Sequence, residues 1–355
     1  MDILVISLAG IGDTFFATPL IRELRLHYPE ATIDALVMWQ GSKDLLEGNP
    51  HLNFVHHKNL IKKGAFGILK GLAPLRKRKY DISFNTHPQS RIAYRAVARF
   101  INARTRISHE YDNLSPLDGL LVNKTIKQDY QRHSVENNLA LLELVGKKPS
   151  TVPRRYEIFL SPDEQAWAEE YVKSNALAGR KLLGIHVGSG GTKNLALRRW
   201  SLLSYAQLIT RLTANRPELT VLLFGGPEEQ KDHERLRAEI KSQRVLFPET
   251  KSLRQAAALI QKCRAFLSVD TVLMHVAAAV KVPRQVVIET PTWNKPIEPY
   301  GQIFSLVRNP GVAGRNLEFY RYDGEGIKGT AKEIVGCMRS VTVEAVEAEV
   351  NKALG

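Results

Sequence analysis

Cysteine is scarce in this chain: Cys263 and Cys337 are the only two in 355 residues. Each lies in a helical-looking stretch, so neither a disulfide framework nor a zinc-ligand pattern is available. No apolar run approaches the ~18 residues that a membrane span needs. At the N-terminus no basic leader precedes an apolar core; Asp2 runs straight into a strand, and no signal peptide is expected. Zinc-finger, RNP-type and basic-zipper patterns are missing, so nucleic acid is not an expected partner. Nor is there an Asp-X-Asp pair to hold a metal ion. These absences point to a cytoplasmic protein that works without a metal or other cofactor.

What is present is apolar material for two cores and an excess of positive charge. Hydrophobic residues make up 44% of the chain, and its length suffices for two domains of ordinary size. Lys and Arg number 50 against 36 Asp and Glu, a net charge of +14. Part of the excess is concentrated in residues 58–79. Lys58, Lys62, Lys63, Lys70, Arg76, Lys77, Arg78 and Lys79 stand there with no acid among them. One reading is a solvated helix face. The other is a surface for an anionic partner, either a phosphorylated saccharide or the anionic inner face of a membrane.

Strand-like runs alternate with helical periodicity, which predicts parallel sheets covered on both faces. The first series has strands near 3–7, 32–37, 52–56, 81–85 and 106–108, with helices near 18–27, 91–102 and 133–145. Residues 146–165 are rich in proline and charge and read as a linker. A second series follows, with strands near 183–187, 220–224, 265–269 and 285–288. Its helices fall near 205–215, 228–242, 253–262 and 271–280. A last apolar stripe predicts one long helix over 331–353. The expected division is therefore 1–160, 161–330, and a terminal helix in 331–355 that packs back toward the N-terminal domain. Such sheets hold ligands at the carboxyl ends of their strands, so a cleft between two such domains is the expected site.

Four turns carry candidate chemistry. "LAGIGDTFFATP" follows the first strand and presents Asp13. "GIHVGSGGTKNLALRRW" runs from a strand into Gly188 and Ser189, where small residues let backbone N–H groups approach an anion, with Arg198 and Arg199 close by. It is neither a Walker A loop nor a dinucleotide fingerprint. "LLFGGPEEQKD" places Glu228 in a first helical turn, where an acid suits the helix dipole or a ribose. "AFLSVDTVLMHVAAAVKVP" offers Asp270, Thr271 and, one turn on, His275 at a helix N-terminus suited to a phosphate. An acid opposite a bound nucleotide diphosphate suggests a general base acting on a hydroxyl, with a nucleoside diphosphate as leaving group. A sugar nucleotide fits, and arginine with helix N-termini can hold the leaving charge.

The whole chain resembles family 9 glycosyltransferases, the heptosyltransferases of the lipopolysaccharide inner core. The stretches that carry the resemblance are "GIGDTFFATPLIRELRLHYPEATIDAL", "KYDISFNTH", "RHSVENNLALLELVG", "LGIHVGSG…RRWS", "LLFGGPEE" and "SVDTVLMHVAAAVKVP". The resemblance implies a GT-B fold of two Rossmann-like domains facing across a cleft, inversion at the anomeric carbon, no metal, and a donor of the ADP-heptose type. By position it puts Asp13 at the catalytic acid, Ser189 in the loop that meets the donor phosphates and Arg198 at the basic residue before Trp200. It puts Glu228, within one residue, at the acid that meets the nucleoside, and Asp270, Thr271 and His275 on the Asp-Thr-Gly-X-X-His run. Two departures stand out: Val272 replaces that run's glycine, and "IETPTWNKPIEPYG" with Trp293 replaces a small-residue turn. Valine resists positive φ and adds bulk, so the donor sugar can differ.

The expectation is an inverting, metal-independent transfer of a sugar, heptose above others, onto a lipopolysaccharide core or related anionic lipid-linked saccharide. Lys62, Lys63, Arg76, Lys77, Arg78 and Lys79 would form the acceptor and membrane face of an enzyme peripheral to the inner face of the cytoplasmic membrane. The rival readings are a non-catalytic nucleotide-sugar-binding scaffold, a transferase with another donor sugar, and a two-domain epimerase.

Overall fold

Residues 3 to 7 are almost wholly buried and apolar apart from Ser7, with no alternation of polar and apolar positions. That is the signature of a parallel strand covered on both faces. In the computed structural model, which describes residues 1–61, 64–112, 118–190, 195–312 and 330–355, this strand is the centre of the first of two sheets. The chain divides into two units, the first spanning Met1–Phe159 and the second beginning at Leu160.

The first unit contains β1 (Asp2–Ser7), β2 (Thr32–Val37), β3 (Phe54–His57), β4 (Ile82–Asn85), β5 (Thr105–Glu110) and β6 (Lys124–Lys127). They lie in the order β3-β2-β1-β4-β5-β6, every neighbour parallel. Its helices are α1 (Ile11–Phe15), α2 (Thr18–His27), α3 (Gln40–Leu46), α4 (Ala65–Lys77), α5 (Ile92–Ile101), α6 (Asp118–Leu121) and α7 (Ser134–Ala140). A 3₁₀ turn, Leu141–Val145, continues α7, so the helix expected over 133–145 is two elements. Leu4, Ile6 and Leu36 on one sheet face pack with Leu72 and Leu75 of α4 and Val97 and Ile101 of α5. The order reverses at β1 and β4, whose carboxyl ends form the topological switch point where such sheets hold ligands.

The stretch expected as a linker is ordered at both ends. Arg22 of α2 pairs with Glu157 at 2.7 Å, and the buried Glu23 carboxylate accepts from the N–H groups of Ser150 and Thr151 at 2.8 Å each. Burial would raise the Glu23 carboxyl, but these bonds outweigh it and hold it below its ordinary value. At the other end a new helix, α8 (Pro162–Ser174), starts inside the stretch. Ser161 and Glu164 form a capping box and Pro162 takes the first helical position.

The second unit contains β7 (Lys181–His186), β8 (Leu219–Phe224), β9 (Val245–Leu246), β10 (Ala265–Ser268), β11 (Arg284–Ile288) and β12 (Phe304–Val307). Their order is β12-β11-β10-β7-β8-β9, the same connectivity as in the first unit. Helices α9 (Leu202–Asn215), α10 (Gln230–Glu239), α11 (Leu253–Ile260) and α12 (Val272–Ala279) join them. The expected terminal helix is broken in two, α13 (Ala331–Arg339) and α14 (Val343–Leu354). Thr342 caps the second, its hydroxyl accepting from the Ala345 N–H, which is why the helix restarts there. The expected packing toward the N-terminal domain is corrected: Val346, Val350 and Leu354 join the core of the second unit. Arg211 of α9 reaches Glu344 at 2.7 Å, and Trp200 Nε1 donates to the Val341 carbonyl at 2.9 Å.

Candidate active site

In the first unit, Asp13 stands in the first turn of α1, just past the carboxyl end of the central strand. Its Oδ2 accepts from the Gly10 N–H at 2.7 Å, which fixes the carboxylate against the turn. A Cβ at Gly10 would lie 3.0 Å from that same oxygen, a tight contact that a larger residue there would impose on the carboxylate. Behind α1, the Thr14 hydroxyl bonds the Ser42 hydroxyl of α3 at 2.8 Å. Tyr94 and Tyr111 lie close enough to feel the Asp13 charge. Burial chiefly, and that charge in addition, push both phenols up.

Two buried amides shape this turn, and sequence reasoning missed both. Gln89 accepts from the Leu8 N–H at 3.2 Å and donates to the Ile6 and Thr86 carbonyls, tying the ends of β1 and β4 together. Asn138 of α7 accepts from the His87 N–H at 2.6 Å and donates to Phe16, pinning the end of α1. Nearby His87 and His109 are fully buried. Burial holds both imidazoles below their ordinary value, His109 at about 4, so they are neutral near pH 7. Beside Asp13, the Tyr94 and Tyr111 phenols also feel the Arg91 and Arg95 charges, respectively.

In the second unit, the carboxyl ends of β11, β10, β7 and β8 are adjacent, and side chains link them. Arg198 donates through Nη1 to Asp270 Oδ2 at 2.7 Å and to the Thr292 hydroxyl at 3.1 Å. Its Nε is buried with no hydrogen-bond partner among the described residues. His186, ending β7, contacts the Thr271 hydroxyl at 3.1 Å, and Thr271 caps α12. Arg199 holds Asp232 at 2.9 Å, the Ser189 carbonyl at 2.9 Å and Glu229 at 3.4 Å. Burial would raise the Glu229 carboxyl; the His186 imidazole, the Gly226 N–H and the Arg199 charge outweigh it and hold it low. His275 is buried one turn into α12. Burial, then the Arg198 charge, drive its imidazole down to about 3, so it is neutral.

The structure thus brings Arg198, Asp270 and Thr271 into linked contacts, with His275 beside them. It does not bring in Glu228, which is exposed; Glu229 turns back onto the Gly226 N–H at 2.9 Å instead. Gly188 is a glycine because Glu229 packs on it, a Cβ there falling 2.2 Å from Glu229 Oε1. The Ser189 hydroxyl is buried and donates to the Leu195 carbonyl at 2.8 Å, so it ties the loop rather than pointing outward. Val272 opens α12 without positive φ, so the expected backbone strain does not arise and only its bulk remains. Trp293 packs against Phe304, ring centres 6.1 Å apart.

Of the basic face, Lys62 and Lys63 lie outside the described residues. Arg78 is drawn inward, where its guanidinium lies 2.9 Å from the buried Asp34, which also accepts from Tyr80 at 2.6 Å. Arg76 donates to the Phe100 carbonyl and lies over the Phe100 ring. Lys77 and Lys79 are exposed, without an ion pair among the described residues.

Residues 69–315 match the family model of glycosyltransferase family 9 (heptosyltransferase). The chain belongs to that family. This glycosyltransferase is 26% identical over 378 residues to lipooligosaccharide heptosyltransferase 2 of Haemophilus ducreyi, covering 100% of this chain and 99% of that relative. The family match begins after Asp13, whereas this alignment spans it. Among solved structures, the glycosyltransferase family 9 protein of Veillonella parvula superposes with a TM-score of 0.77 at 20% identity, covering 99% of this chain and 97% of that one. The ADP-heptose lipopolysaccharide heptosyltransferase II of Escherichia coli superposes with a TM-score of 0.73 at 21% identity, covering 100% and 98%. These likenesses show the fold, a GT-B arrangement of two Rossmann-like units.

Proposed function

We propose that this glycosyltransferase moves heptose from ADP-heptose onto a lipopolysaccharide core or a related lipid-linked saccharide, with inversion. Asp13 is the general base. An acceptor hydroxyl attacks the anomeric carbon from the face opposite the diphosphate and loses its proton to the Asp13 carboxylate. The bond from that carbon to the diphosphate oxygen breaks, and ADP leaves with the electron pair. The second unit holds the donor through Arg198, Asp270, Thr271 and His275, with the N-terminus of α12 toward the phosphates. The reading requires no metal, and transfer should persist in a chelator.

The observation that carries this reading is Arg198. It is anchored by Asp270 and Thr292 and keeps a buried Nε without a partner among the described residues. An anchored guanidinium with an unspent donor suits an oxyanion. Family membership supplies the reaction class, and the names of the relatives supply the sugar. Calorimetric titration with ADP-, UDP-, GDP- and CMP-sugars tests the donor. Binding confined to ADP-sugars, with an inverted anomer in the product, is expected; a tighter UDP- or CMP-sugar, or a retained anomer, would overturn the assignment.

We further propose that segment 58–79 holds the enzyme on the anionic inner face of the cytoplasmic membrane. No helix among the described residues is long and apolar enough to cross a membrane. Each cation near such a surface contributes about 1 kcal/mol, screened within a Debye length. Lys70, Lys77 and Lys79 are exposed and without an ion pair among the described residues. Co-sedimentation should favour anionic over neutral vesicles and weaken, without vanishing, as salt rises.

A further inference from the structure

The outward face of α4 is not purely basic. Its inner face, Ile68, Leu72 and Leu75, packs into the first core. Its outer face reads Phe66, Leu69, Lys70, Ala73 and Lys77, an i, i+3, i+4, i+7, i+11 pattern that keeps them on one side. Phe66 is 80% exposed and Leu69 44%. Ile61, just before the helix, is 64% exposed. Other large exposed apolar residues, such as Leu203 and Ile303, are scattered singly and need no explanation. These three fall within nine residues, inside a segment, 58–79, that carries eight cations and no acid.

An exposed aromatic and aliphatic pair costs solubility unless something covers it. Cations placed along the same helix face bring it to a negative surface. A protein partner would meet eight like charges in this segment, whereas an anionic bilayer offers negative headgroups above and hydrocarbon beneath, matching both parts of the face. We infer that Phe66 and Leu69, with Ile61 beside them, insert into the acyl boundary of an anionic membrane while Lys70 and Lys77 contact the headgroups. This rests on the membrane reading above and adds a hydrophobic anchor to it. Charge alone delivers the enzyme to the surface; the apolar pair sets the depth and keeps it there when salt screens the charges.

The experiment uses the full chain and vesicles of phosphatidylglycerol and phosphatidylcholine without acceptor. Cys263 and Cys337 are buried, so F66C, L69C and, as control, L203C can each carry an environment-sensitive dye. The dyes at 66 and 69 should brighten on vesicle binding and be quenched by lipids brominated on the acyl chain, while the dye at 203 stays unchanged. The F66S/L69S double variant should bind the same vesicles roughly tenfold or more weakly and lose its binding in high salt. Its far-ultraviolet circular dichroism should match the parent. If the parent binds and the double variant binds equally, with unquenched dyes, the insertion is wrong and the electrostatic reading stands. If the parent does not bind at low salt, both are wrong.

Discussion

The two units share one strand order, yet their ligand-side ends are built differently. In the first, the switch point presents a single acid, Asp13, held by a backbone N–H and framed by the buried amides Gln89 and Asn138. In the second, the equivalent strand ends carry a web of opposite charges, with Arg198 on Asp270 and Arg199 on Asp232 and Glu229. Connectivity therefore decides where a site forms, and the residues in the turns decide its chemistry. A carboxylate fixed at a strand end can take a proton. Arginines already positioned by carboxylates can receive a diphosphate with little reorganisation.

Breaking the contrast at its sharpest point should have the largest effect. D13N should reduce transfer roughly 10²- to 10⁴-fold, the range for a positioned base, while leaving thermal stability unchanged; steady-state transfer and a melting curve check both. R198A should instead damage the fold, because it strands the Asp270 carboxylate, and a loss of about 3–5 kcal/mol is expected in chemical denaturation. Acid should weaken both units next, through buried neutral imidazoles, His109 in the first and His275 in the second. The His109 imidazole, held at about 4 by burial, takes up its proton more readily in the unfolded chain. Stability from this group is therefore complete above pH ~6.5 and declines as pH falls toward 4. H109Q should flatten that decline, and parallel curves for variant and parent would contradict it. The smallest effect separates neighbours: E229Q should cost about 1–3 kcal/mol, whereas E228Q should stay within about 0.5 kcal/mol.

Much of the framework was legible because a parallel strand must be apolar on both faces, and β1, β2, β7 and β8 are. The edge strands β6 and β12 escaped because they are four residues long and only partly buried. The capping box Ser161–Glu164 was present in the sequence, but proline and charge around it gave the stretch the composition of a linker. The apolar stripe of the terminal region continues across Val341, so periodicity could not show the break that Thr342 makes. Among the candidate residues, Asp270 and Thr271 stand just past the end of β10 and Asp13 in the turn after β1, as the order of strand and turn in the sequence suggests. Choosing Glu229 over Glu228 was not legible, because the two differ only in which side chain folds back to Gly226. Gln89 and Asn138 were hidden for a related reason: several of their partners lie 50 to more than 100 residues away in the chain.

The central claim is that turnover belongs to Asp13 and nucleotide binding to the Arg198 turns. Calorimetric titration of ADP into D13N and R198K tests it most directly. ADP affinity should be unchanged in D13N. It should fall about tenfold or more in R198K, because an ammonium cannot keep Asp270 and Thr292 while offering the planar donors of a guanidinium. Lost affinity in D13N together with parental affinity in R198K would contradict the account.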